Sequence, residues 1–161
     1  MTTFSAASIL WLPMGGVAAS AVPVWLGCFG LGSCVGLFLH DRVQKIGGGV
    51  HVMLPAAPSE TQLQPATLYA DHALEALVGQ MTRLGSDPIN LRARITGGAN
   101  VLNLNLGSVG ERNVAAVKQL LTAHRIPLLT AEVGGTRSRS VRFCTASGQL
   151  HPHVRPSASL A

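Results

Sequence analysis

The chain has 161 residues, of which 47% are hydrophobic and 12% charged. That places it among folded chains of one-domain size and excludes a disordered segment. Its net charge is +5, its basic residues are scattered and its aromatic share is 4%. It therefore lacks a stacking platform for single-stranded nucleic acid, and no nucleic-acid partner is expected.

Residues 1–20 read as an N-terminal extension whose order the sequence leaves open. Within it, Ile9-Leu10-Trp11-Leu12 suits a short strand or an apolar arm, and Gly15-Gly16 ends it. Residues 24–29 and 35–40 read as two strands flanking a glycine-rich turn. Residues 41–49 read as a polar, glycine-ended hairpin connection. In 50–54, alternation puts Val50, Val52 and Leu54 on one face and His51 with Met53 on the other. The direction of His51 suits a site, or simple exposure.

Residues 56–67 carry Pro58 and Pro65 and read as a loop. Residues 70–84 predict the clearest helix, with Ala70, Ala73, Leu74, Leu77 and Met81 on one stripe and Gly85 ending it. Residues 91–96 alternate as a strand with one wet face, and a Gly/Asn-rich loop follows from Gly97-Gly98 to Gly110. A second amphipathic helix is predicted over 114–124, with Asn113 as its cap. A strand over 126–133 and a hairpin of 141–146 with 150–154 close the domain. Residues 155–161 read as a tail. Many short strands and two helices out of strict alternation predict an α+β fold with mixed sheets over residues 21–154.

One stretch resembles a membrane span by length. Residues 22–39 are 18 uncharged, mostly apolar residues, and no Lys, Arg, Asp or Glu precedes Asp41. The run holds Pro23 and four glycines, and no positive charge precedes it to orient a span or open a signal peptide. It reads as two buried strands, with no membrane insertion.

Three cysteines, Cys28, Cys34 and Cys144, have no metal-ligand spacing and fit a reducing, cytoplasmic setting. His151 and His153 read as two histidines on one face of a strand end. The chemistry concentrates in Gly30-Leu31-Gly32-Ser33-Cys34-Val35-Gly36 and in Gly49-Val50-His51-Val52-Met53-Leu54-Pro55. They put a histidine 17 residues after a cysteine. A thiol is a weak nucleophile until an imidazole takes its proton. Backbone N–H groups near Gly32, Ser33 and Cys34 suit a developing oxyanion.

Gly-Leu-Gly-Ser-Cys-Val followed by His-Val-Met-Leu-Pro resembles the chemoreceptor glutamine deamidases, the CheD family of bacterial chemotaxis. The resemblance extends in order through residues 69–74, 93–100, 110–113 and 132–141. It implies a layered α/β/β sandwich and a cysteine-dependent amidohydrolase, a protein-glutamine glutaminase, with Cys34 and His51 catalytic and no metal or cofactor. It implies chemoreceptor cytoplasmic helices as substrate, glutamyl methyl ester hydrolysis as a second activity, and a CheC-type phosphatase as partner. It also implies a threonine six residues before the cysteine, to orient the histidine. Cys28 stands there, a weaker hydrogen-bonding group. That departure keeps a binding adaptor with little catalysis as the alternative. Thr96 and Glu132 depart more mildly, from a larger apolar residue and an Asp.

Overall fold

The computed structural model describes residues 8–60, 62–103 and 108–153. Among these residues, nine strands form two sheets. The first holds β1 (Ile9–Trp11), β3 (Trp25–Leu31), β8 (Arg139–Cys144) and β9 (Leu150–Pro152), in that order. The second runs β2 (Val17–Ser20), β5 (Ile46–Val52), β4 (Val35–Asp41), β6 (Leu91–Gly97), β7 (Leu128–Val133). Two helices, α1 (Ala70–Arg83) and α2 (Val109–Ala123), cover the outer face of the five-stranded sheet. The result is a mixed α+β sandwich with layers α/β/β.

Alternation along β4 builds both cores. Val35, Leu37 and Leu39 face the helices, where they meet Val50 and Val52 of β5, Leu74, Leu77 and Met81 of α1, and Val117 and Leu121 of α2. Each such side chain contributes roughly 1.5–3 kcal/mol by leaving water. Phe38 faces the other way, stacked on Phe143 at 5.0 Å in a layer shared by Leu12, Leu26, Cys28, Leu31 and Val141. The uncharged run of residues 22–39 thus becomes most of β3 and β4. Among the described residues, no helix is long and apolar enough to cross a membrane.

One reading left open is decided and two expectations change. Residues 9–11 and 17–20 are strands, one in each sheet, paired with Trp25–Gly27 and with residues 47–50. The hairpin connection is shorter than read, because β5 begins at Ile46 and takes in Gly47, Gly48 and Gly49. Those positions need small residues for close packing: a Cβ on Gly49 would lie 2.6 Å from the Phe38 ring. Helix α2 starts at Val109, five residues earlier than the apolar pattern indicates. Its cap is Ser108, whose hydroxyl accepts from the N–H of Glu111 at 3.1 Å. Asn113 lies inside the helix and is fully buried.

Candidate active site

Cys34 lies in the turn between β3 and β4, immediately before Val35. Its neighbours hold the turn through its carbonyls. The oxygens of Gly32 and Cys34 accept from Ala99 N at 2.7 Å and Gly98 N at 2.8 Å, and the oxygen of Ser33 accepts from Asn113 Nδ2 at 2.9 Å. Gly97 permits this approach: it has φ +98°, and a Cβ there would collide with the Cys34 carbonyl oxygen. Gly97 is itself anchored, since its carbonyl accepts from Gly134 N and from Arg139 Nη1, both at 3.0 Å. The two Gly-Gly turns therefore brace one another behind the cysteine. Thr96 and Glu132, the two mild departures, meet there too: Thr96 Oγ1 donates to the Glu132 carbonyl at 3.1 Å.

His51 lies on β5 directly opposite Gly36 of β4. Paired residues share a face, and Cys34 is two positions before Gly36. By that register Cys34, in the turn that leads into β4, lies diagonally from His51 on the neighbouring strand. Cys34 packs against the layer between the sheets, and His51 turns to the same side, away from Val50 and Val52. The histidine is not exposed, as one reading of its direction allowed; it is 6% accessible.

Its orientation comes from the link between β1 and β2. His51 Nδ1 lies 2.9 Å from the Leu12 carbonyl oxygen. A carbonyl only accepts, so Nδ1 carries the proton and Nε2 is left as the basic nitrogen. The main chain of His51 is held from the same link, with Gly15 N donating to its oxygen at 2.8 Å and its N–H donating to Gly16 O at 3.2 Å. Sequence reasoning passed over Leu12, because a main-chain acceptor leaves no side-chain signature. It also misassigned Asn113, whose Nδ2 bonds both Ser33 O and Met53 O at 2.9 Å. One amide thus joins the segment before Cys34 to the segment after His51.

Burial pushes the Cys34 thiol above its ordinary pKa. Burial likewise lowers His51, against the opposing effect of the bond to Leu12. Both shifts favour the uncharged thiol–imidazole pair at rest. Cys28 is fully buried in the same layer, its pKa pushed up to about 12 by burial and then by the proximity of Cys34. Among the described residues, no cluster of three His, Cys, Asp or Glu is placed to hold a metal ion. His151 and His153 instead pack edge-on against Trp25 and Trp11, at 6.0 and 5.0 Å between ring centres.

A cavity of about 380 Å³ opens beside the turn. Gly32 and Ser33 form one side, Arg112 lines it, and the exposed apolar residues Val101, Leu102 and Val109 form much of the rest.

A half-buried cysteine in the turn before β4 and a tautomer-locked histidine on the neighbouring β5 are the residue types of a cysteine-dependent amidohydrolase site, set in an α/β/β sandwich. The family described as CheD chemotactic sensory transduction matches residues 53–153. A protein of Desulfitobacterium hafniense is 37% identical over 147 residues, covering 89% of this chain and 91% of the relative. One from Clostridium kluyveri is 38% identical over 123 residues (74% and 76%), and one from Caldanaerobacter subterraneus subsp. tengcongensis is 34% identical over 146 (88% and 90%). Each bears the name probable chemoreceptor glutamine deamidase CheD. This chain belongs to the CheD family. Among solved structures, the Bacillus licheniformis hypothetical protein YfiH aligns over 73% of this chain and 49% of its own at 18% identity and a TM-score of 0.44, too distant to add to the topology above.

Proposed function

We propose that this protein deamidates glutamine side chains on the cytoplasmic helices of chemoreceptors, acting in the cytoplasm. The observation that carries the reading is the His51–Leu12 bond, which leaves Nε2 as a base on the strand beside Cys34. His51 takes the thiol proton as sulfur attacks the carboxamide carbon. Peptide planarity then supplies the oxyanion site. The carbonyls of Gly32 and Ser33 point into the protein, toward Ala99 and Asn113. The N–H groups of Ser33 and Cys34, across the same peptide planes, point the other way, toward incoming substrate. The protonated His51 gives its proton to the leaving nitrogen, ammonia departs, and a thioester remains. Water deprotonated by His51 hydrolyses it, giving glutamate and the free thiol. A glutamyl methyl ester would pass through the same acyl-enzyme with methanol as leaving group, so esterase activity is part of the proposal.

Leu12 takes the orienting role in this mechanism. Cys28, at the position of the implied threonine, contributes a neutral thiol beside the pair. The apolar cavity next to Ser33 suits one face of a receptor helix, with the target glutamine side chain reaching the turn. A CheC-type phosphatase that presents a similar helix would occupy the same groove.

The test is mass spectrometry of a receptor cytoplasmic fragment after incubation with the protein. Conversion of particular glutamines to glutamate is expected. A fragment that binds yet keeps every amide would favour the adaptor reading, to which Cys28 gives weight.

A further inference from the structure

The end of the sandwich remote from Cys34 holds a second cavity, of about 400 Å³. It lies at the His40 end of β4, about 20 Å from Cys34 at the rise of an extended strand. The β8–β9 turn, with Ser147 and Gly148, meets β4, β6 and β7 here. Arg42, Arg92 and Arg94 line it, and none of its lining residues is a carboxylate. Burial holds His40 below its ordinary pKa, and its Nε2 is engaged with the Ala146 carbonyl oxygen at 3.1 Å. The positive charge therefore comes from the arginines. A cleft lined by one sign of charge concentrates counter-ions.

Two of these guanidinium groups are fixed in advance. Arg94 donates from Nε to Gly148 O at 3.0 Å and from Nη1 to Thr130 Oγ1 at 3.4 Å. Arg92 donates from Nη1 to Leu91 O at 2.8 Å and to Ile89 O at 3.2 Å. Those bonds leave Nη2 of each for a ligand, with the orienting cost already met. Arg42 reaches in from the β4–β5 turn. The remaining wall is apolar: Phe38 and Phe143 lie at its base and Leu129 is exposed at its side.

We propose that this cavity binds a small organic phosphate, its dianion held by Arg92, Arg94 and Arg42 and its body resting on the apolar wall. Each guanidinium gives a charge-assisted bond to a phosphate oxygen, and three such charges suit a dianion better than a single carboxylate. The distance from Cys34 makes this a site separate from the deamidase groove.

Calorimetric titration with phenyl phosphate, inorganic phosphate and phenol tests it. Phenyl phosphate should bind one per chain, inorganic phosphate should compete more weakly, and phenol should not bind. Arg42→Ala and Arg92→Ala, both at exposed positions, should each weaken binding roughly tenfold, as loss of a charge-assisted contact does. Cys34→Ala should bind as the unaltered protein does, and Arg92→Ala should keep its deamidase rate. Inorganic phosphate binding as tightly as phenyl phosphate would remove the role of the apolar wall. No saturation by phenyl phosphate, or equal binding by both arginine variants, would overturn the site. Saturation by a glutamate-rich peptide alone would replace it with a protein-docking face.

Discussion

The main-chain carbonyl of Leu12 accepts the Nδ1 proton of His51 at 2.9 Å, across 39 residues of sequence. A side-chain replacement cannot delete that acceptor, but one can move it. Gly16 closes the link that presents Leu12, and a Cβ there would lie 2.6 Å from the Pro13 ring and 2.8 Å from its carbonyl oxygen. Gly16→Ala should therefore shift the link and lower kcat about 10-fold or more, with KM changed less, because the imidazole is misaimed while the groove stays intact. A rise in KM at unchanged kcat would count against Leu12 as the orienting group.

Cys34→Ala should abolish deamidation with the fold retained, since no other thiol can take its place. Cys28 is fully buried and Cys144 is 6% accessible. Iodoacetamide should accordingly label Cys34 ahead of both, read by peptide mass mapping. Full activity in Cys34→Ala would end the mechanism.

Cys28→Thr asks whether position 28 adds to the hold of Leu12. With Nδ1 already engaged, kcat should stay within about threefold of the starting protein, less than 1 kcal/mol. A gain of about tenfold would return the orienting role to that side chain.

Asn113→Ala leaves the part-buried carbonyls of Ser33 and Met53 without their donor. Thermal or urea unfolding should show a loss of about 1–2 kcal/mol, the net worth of two hydrogen bonds whose acceptors water can partly reach. The folded fraction should also turn over more slowly, because both flanks of the Cys34–His51 pair are released. Loss of stability at an unchanged rate per folded molecule would confine Asn113 to packing.

The pH dependence follows from burial. His51 is lowered from its ordinary 6.5, so it stays neutral, and able to accept the thiol proton, into more acid solution. The acid limb of kcat/KM should fall below pH 6.5; a limb at or above 7 would contradict it. Stability has the same sign. The unfolded chain binds protons at His40 and His51 that the folded chain resists, so stability is full above about 6.5 and is lost as pH falls further. Asp41 adds to that loss at lower pH. Burial pushes its carboxyl up, but donors from Gln44, Ser86, Asp87 and Val43 outweigh burial and hold it low.

Alternation and helical periodicity carry local information, and they located β4, α1, β6 and the side of β5 on which His51 lies. They fail where a residue's reason is tertiary. Gly47 to Gly49 look like a turn because their small size answers to Thr145, Leu77 and Phe38, all distant in sequence. Asn113 looks like a cap because Asn is a good cap. Its actual partners are carbonyls 80 and 60 residues away. Cys34 and His51 were legible as residue types in a resembling pattern. What positions them is main chain, at Leu12, Gly98 and Ala99, and main chain has no letter code.

The link between β1 and β2 crosses from one sheet to the other and grips His51 three times on the way. Strand β1 is three residues long and sits at a sheet edge. Such a segment can detach at far lower free energy than global unfolding requires. Each detachment would free the imidazole while Cys34 and its braced turn stay in place. Turnover would then scale with the fraction of time the first strand is docked. Amide exchange at Leu12 and His51 should track kcat across temperature, while the slowest-exchanging amides of β4 should not.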